Sequence, residues 1–286
     1  MPNRQAPPLA SLRPPSRGQE LTALGVAALL FALFFLTFPF ARIEFSSVDV
    51  FIPIFAAMMM IINGIIAALF FAQFSLLRSG APLVLAIGYL FTALIAIALG
   101  ITVPGAFTAN GLLGAGSQMP PWLFVIWRIV FYASFIVYAF LNRAPGGTWQ
   151  VQAPVGTAIL ASVAGTIALV CGVTWVLVAN DTAMPALVTN SAQLGGAVEY
   201  VFALILLLGG SALLLLLFWR RSVLDLWLAV AALAWLLDTI LLSVSPARYT
   251  VGWYLGRLFG IAAVSFVLYV MLAESPMLGA RRRKTP

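Results

Sequence analysis

The chain of 286 residues has no histidine, one cysteine and one lysine, and only 8% of its residues are charged. An ordinary globular domain carries about 25% charged residues. Without histidine there is no histidine-ligated haem, no histidine-bound zinc or copper, and no Ser-His-Asp or Cys-His catalysis. The lone Cys171 cannot close an intrachain disulfide, and its very apolar run makes it read as core filler. The only lysine, Lys284, lies in the polar carboxyl-terminal tail, which removes a buried Schiff base of the retinal or pyridoxal kind. No nucleophile–base pair and no metal set is visible. The reading is a non-enzyme with no cofactor and no metal.

What the chain has instead is apolar surface: 63% of residues are hydrophobic and the mean hydropathy is +1.08. A globule of this size has too little interior for that, so lipid must cover the remainder. A membrane helix needs about 20 mostly apolar residues. Eight such runs occur, approximately Leu21–Pro39, Val50–Leu77, Pro82–Val103, Pro121–Asn142, Val155–Asn180, Gly195–Trp219, Ser222–Pro246 and Val251–Ala273. The breaks between them are rich in turn formers, such as Ser79-Gly80-Ala81-Pro82 and Ala144-Pro145-Gly146-Gly147. The expected fold is all-α: a multi-pass bundle of eight transmembrane helices. Residues 1–20, rich in proline and arginine without apolar periodicity, are expected to be disordered on the cytoplasmic surface. Residues 21–274 form the membrane domain, and 275–286 a basic cytoplasmic tail in which Pro276 and Gly279 oppose helix continuation. No repeat relates the two halves.

Basic residues set the orientation. With the amino terminus inside, the cytoplasmic segments hold Arg4, Arg13, Arg17, Arg78, Arg143, Arg220, Arg221, Arg281, Arg282, Arg283 and Lys284, and the outside loops only Arg42 and Arg248. Both termini are therefore expected in the cytoplasm. Trp122, Trp149, Trp219 and Trp253 fall at span ends, as interfacial aromatics do. The pI near 10.2 reflects this topology; the lipid bilayer is the implied partner and nucleic acid is not.

Four ionisable residues lie inside spans: Arg128, Glu199, Asp238 and Arg257. Each costs at least about 2.5–3.5 kcal/mol at a helix centre, so such groups face the protein interior and find partners. At about 1.5 Å per residue they lie roughly 6–12 Å from the outer ends of their helices. Two positive and two negative charges in one layer can compensate one another, with Asp238–Arg257 the first choice of pair because a tight hairpin places their helices side by side. The layer is a structural salt-bridge set or the lining of a ligand or proton-sensing pocket in the outer half; snorkelling to the headgroups is the third reading, mainly for Glu199, the shallowest. Tyr132 follows Arg128 by four residues and Trp235 precedes Asp238 by three, so each shares the face of its charge. Asn63 reads as an interhelical hydrogen bond, Asp225 as an interfacial partner of Arg220 and Arg221, and Gly252, Gly256 and Gly260 as a close-packing stripe inside the bundle or in a homodimer.

Several stretches carry a family resemblance: FPFARIEFSSVDVFIPIFAAMMMIINGIIAALFFAQFSLLRS, GYLFTALIAIALGITVPGAF, LLGAGSQMPPWLFVIWRIVF, LDLWLAVAALAWLLDTILLSV and RYTVGWYLGRLFGIAAVSFVLYVMLAE. In this order they resemble the bacterial membrane-associated sensor domain of the MASE class, type four, over roughly Leu21 to Glu274. The resemblance implies a signal-input module of the bacterial inner membrane, ahead of or beside a cytoplasmic histidine kinase or GGDEF-type diguanylate cyclase. Positions that match its polar pattern are Arg42, Asp49, Gln73, Pro104, Gly105, Asp238, Arg257 and Trp253-Tyr254. Family members often carry histidine where this chain has Leu99 and Arg128. Within this sequence no catalytic output follows the last span, so the expectation is either a stand-alone sensor with a separate cytoplasmic kinase or cyclase as partner, or a chain that lacks its output. A small-solute or ion transporter or channel is the alternative. It requires discontinuous helices and a cavity open to both sides, for which Pro53, Gly64 and Gly209-Gly210 are weak hints.

The topology is testable by cysteine tagging in a Cys171→Ser background. Labels in the Gly111–Gln118 loop should react only from outside the cell. Labelling from the cytoplasm alone would overturn the orientation.

Overall fold

In lipid every backbone N–H and C=O must be satisfied within the protein, which leaves helices or a closed barrel. A computed structural model describes residues 13–46, 48, 50–103, 108, 112, 116, 118–143, 149–181, 183–187, 198–245 and 249–282. Over these residues the chain forms eight long helices: α1 (Arg17–Thr37), α2 (Phe51–Leu77), α3 (Gly80–Thr102), α4 (Met119–Arg143), α5 (Val155–Ala179), α6 (Val198–Phe218), α7 (Val223–Val244) and α8 (Val251–Arg282). All eight are long and apolar enough to cross a membrane. The helices alternate in direction, so α1 starts and α8 ends at one side of the bundle, the proximal end; the opposite side is the distal end.

Two boundaries differ from expectation. The α1 helix starts at Arg17, inside the segment expected to be disordered, because Ser16 and Gln19 form a capping box. The Ser16 Oγ accepts from the Gln19 N–H at 3.3 Å, and the Gln19 side chain accepts from the Ser16 N–H at 2.9 Å. At the other end, α8 continues through Pro276 and Gly279 to Arg282. A proline removes one hydrogen bond from a helix already nucleated over a long apolar run, and that loss does not end it here. Residues 1–12 and 283–286 lie outside the described residues.

The helices do not share burial equally. The α7 helix is buried on nearly every face, as a helix apolar all round must be at a bundle centre; it packs against α8, α6 and α1. Around it α2 packs on α3 and α8, and α4 on α3 and α6. The α5 helix is peripheral, with Thr166, Val170 and Leu177 its buried residues. Cys171 is exposed on it, so the expected core position is corrected. A residue on the outward face of a membrane helix meets lipid, and hydropathy does not distinguish lipid from core.

Both ends of the bundle are tied. At the distal end, residues 41–45 run alongside the α7–α8 turn. The Phe45 N–H donates to the Tyr249 carbonyl at 2.8 Å, and the Val251 N–H to the Ile43 carbonyl at 2.9 Å. The Tyr254 hydroxyl donates to the Ser46 carbonyl at 2.9 Å. At the proximal end, Asp225 is buried rather than interfacial. Its carboxylate accepts from the Tyr138 hydroxyl at 2.7 Å, from Asn142, and from the Arg221 and Ser222 N–H groups at 2.9 Å. Arg220 instead pairs with Glu20 at 2.6 Å, in a half-exposed bridge. Asn63 also departs from expectation, because its amide donates to the Met59 carbonyl of its own helix at 2.7 Å.

The glycine stripe of α8 packs inside the bundle. A side chain at Gly252 would meet Ala41 and Ser245, one at Gly256 the Asp238 carboxylate, and one at Gly260 the Trp235 indole. Gly209 of α6 likewise faces Tyr132 and Leu236. Gly260→Ala should therefore displace Trp235 and destabilise by about 1–3 kcal/mol, the usual cost of overpacking, read as a lowered thermal midpoint in detergent. Gly25→Ala, where a methyl group meets open space, should leave the midpoint unchanged or raise it.

Candidate functional site

Three of the four intramembrane charges converge. Asp238 lies six residues before the end of α7, and Arg257 six residues after the start of α8, each about 9 Å inside the distal helix ends at 1.5 Å per residue. Arg128 reaches the same carboxylate from α4. Its Nη2 donates to Asp238 Oδ2 in a short contact, to the Thr239 hydroxyl at 2.7 Å and to the Trp235 carbonyl at 3.0 Å. The Arg257 Nη1 donates to Asp238 Oδ1 at 3.2 Å. Asp238 and Arg128 are fully buried, and Arg257 nearly so. One carboxylate thus splits its two oxygens between two guanidiniums carried by two helices.

Aromatic rings complete the desolvated shell. The Arg128 guanidinium lies 4.2 Å from the Trp235 ring centre, 5.2 Å from Phe124 and 5.8 Å from Tyr132. That of Arg257 lies 4.9 Å from Phe124, 5.2 Å from Trp253 and 5.7 Å from Phe55. Cation–π contacts of this kind are worth about 2 kcal/mol or more once water is excluded. Trp235 also packs edge-on against Trp127 and Phe131, at 5.4 and 6.0 Å between ring centres.

The structure therefore brings together Arg128, Asp238, Arg257, Tyr132 and Trp235, and it leaves out Glu199. Glu199 sits in the first turn of α6 and is exposed; an acid so near a helix start reaches the helix end without crossing hydrocarbon and needs no buried partner. The balanced set of four charges is corrected to three. Thr239 and Phe124 were not singled out from sequence, and Trp253 was read as an interfacial aromatic and a match to the family pattern, not as a partner of Arg257. The two aromatics were legible: Phe124 precedes Arg128 by four residues and Trp253 precedes Arg257 by four, the spacing of neighbours on one helix face. Asp49, Pro104 and Gly105 lie outside the described residues. Gln73 is buried far from this layer and donates to the Met271 sulfur at 3.6 Å, and Arg42 donates to the Val244 carbonyl at 3.2 Å.

Beside the cluster, toward the distal end, a cavity of about 120 Å³ opens mainly between α2, α4, α6 and α8, with Leu99 of α3 and Leu242 of α7 in its wall. Its walls are apolar, with Phe51, Phe55, Phe124, Phe202 and Trp253 prominent, and Arg257 is the one residue of the charged cluster that lines it. The pocket is thus an apolar chamber with a guanidinium in its wall, in place of the expected polar pocket. Arg128 and Asp238 lie behind that wall.

Removing one member should expose the cost of the arrangement. Asp238→Asn leaves two buried guanidiniums facing a neutral amide and should destabilise by about 3–5 kcal/mol, as should Arg257→Gln. Combined in a double-mutant cycle, read by thermal stability in detergent, they should be strongly non-additive. Small additive effects would mean that the side chains are solvated separately.

Comparison with known families agrees with this architecture. The family model for MASE4, described as membrane-associated sensor, integral membrane domain, matches residues 46–278, well over half of the chain and all three members of the charged cluster. No curated protein and no solved structure matches. By its family match and its eight membrane-spanning helices, the chain belongs to the MASE4 family of membrane-associated sensor domains.

Proposed function

We propose that this chain is a signal-input module of the bacterial inner membrane, both termini cytoplasmic, whose stimulus acts on the Arg128–Asp238–Arg257 cluster in the outer half of the bundle. This membrane domain supplies the input and passes its state to a cytoplasmic kinase or cyclase, as a homodimer. The observation that carries this reading is the cluster beside a ligand-sized cavity with Arg257 in both. A stimulus that shifts Arg257 changes its contact with Asp238 and, through the same carboxylate, that of Arg128. The α8 helix that holds Arg257 runs on to Arg282, about 38 Å at 1.5 Å per residue, so a tilt or shift at the cluster reaches the cytoplasmic end. Signalling of this kind requires only that the stimulus interact differently with two states of the bundle.

A chimera with a diguanylate cyclase catalytic domain placed after Arg282 tests the reading. Asp238→Asn and Arg257→Gln should each change cyclic di-GMP output at least threefold, in either direction, at equal membrane abundance. Unchanged output from properly inserted protein would overturn it. Proteoliposome flux assays form the second arm: saturable solute or ion flux abolished by Asp238→Asn would replace sensing with transport.

A further inference from the structure

The chamber beside the cluster has a size and a chemistry that restrict what it can hold. About 120 Å³ is close to the roughly 150 Å³ of an engineered apolar cavity that takes up benzene. The space therefore accommodates one ring, and because the cavity is partly open the rest of a longer guest can extend beyond it. Its walls are aromatic on several sides: Phe55 comes from α2, Phe124 from α4, Phe202 from α6 and Trp253 from α8. Flat aromatic faces favour a flat guest, in stacked or edge-on contact. Arg257, on the wall of the chamber, carries N–H donors only and no acceptor. A polar end of the guest that faces it must therefore accept hydrogen bonds. Phe124 lines the chamber and also lies within 5.2 Å of both guanidinium carbons, so a guest stacked on it presses on both arginines at once.

We propose that this chamber binds a single-ring lipophile bearing a carbonyl or carboxylate oxygen. The ring lies among Phe55, Phe124, Phe202 and Trp253, and the oxygen accepts from the Arg257 guanidinium. Such chemistry has two sources: the ring of a membrane quinone, arriving from the lipid, or an aromatic carboxylic acid, arriving from water. The proposal rests on the sensor reading for its purpose, but the binding itself does not depend on any output.

The test is calorimetric titration of the full chain in nanodiscs with three probes: a short-chain benzoquinone, benzoate, and toluene as a ring without oxygen. Saturable binding of the quinone or of benzoate is expected, and whichever binds identifies the source. Toluene should bind at least tenfold more weakly. Val201→Phe, which fills the chamber from α6 without touching the charges, should weaken binding at least tenfold; Leu99→Phe, on the α3 wall, serves if the first variant does not fold. Absence of saturable binding by either oxygen-bearing probe, equal binding of toluene, or wild-type affinity in a folded filled variant would overturn the proposal. The two readings fail separately. Binding that leaves cyclase output of the chimera unchanged retains the ligand site and removes the sensor. Output that depends on Asp238 without binding of any probe retains the sensor and removes this ligand.

Discussion

The bundle is organised around one carboxylate. Asp238 sits in the most deeply buried helix and is held between guanidiniums from α4 and α8. In hydrocarbon none of these charges is tolerable alone, and the attraction offsets desolvation only where the geometry is close; the Arg128 Nε and Nη1 have no hydrogen-bond partner among the described residues, and the guanidinium lies against aromatic rings instead. That requirement dictates the neighbours. Gly256 is small because the carboxylate occupies the space where its side chain would lie, and Gly260 because the Trp235 indole does. Trp235 is there because Arg128 needs a ring face and a carbonyl. The close approach of α7 and α8, which these glycines permit, is what lets the charges meet.

The same helix pair, α4 and α7, is joined a second time at the proximal end, where Tyr138 and Asn142 donate to Asp225. Asp225 and Asp238 are thirteen residues apart on α7, about 20 Å at 1.5 Å per residue. Between these polar ties lies an aromatic layer of Trp127, Phe131 and Trp235. Two buried hydrogen-bonded ties separated by rigid packing fix the relative register of α4 and α7. The α8 helix is tied at the distal end by Asp238 and by the loop carrying Ile43 and Phe45, and it stays packed toward the proximal end through Phe266 against Trp227 of α7 and Met271 against Gln73 of α2.

The eight spans and the all-α class were legible in the sequence because hydropathy over twenty residues depends on lipid thickness, not on how helices pack. The Asp238–Arg257 pair was legible too, since a short turn forces α7 and α8 together. The positions of Glu199, Cys171 and Asp225 were misjudged for one common reason. Sequence reports that a residue lies in or beside an apolar run, but it does not say whether the residue faces lipid, water or another helix. Glu199 is exposed, Cys171 faces outward, and Asp225 is buried in a network with α4.

By itself, then, the sequence determined that this chain lives in a membrane as helices, that it holds no histidine and has its one lysine in the polar tail, and that its few intramembrane charges must find partners. Those conclusions follow from local energies: hydration of charge, hydrogen bonding of backbone, and absence of functional groups. Which charges meet was decided by tertiary structure alone. Arg128 and Asp238 are separated by 110 residues, and only the packing of α4 against α6 and of α6 against α7 brings α4 within a side chain's reach of α7. The chamber beside them is likewise a property of several helices together, because a cavity exists only where several surfaces fail to fill a common space.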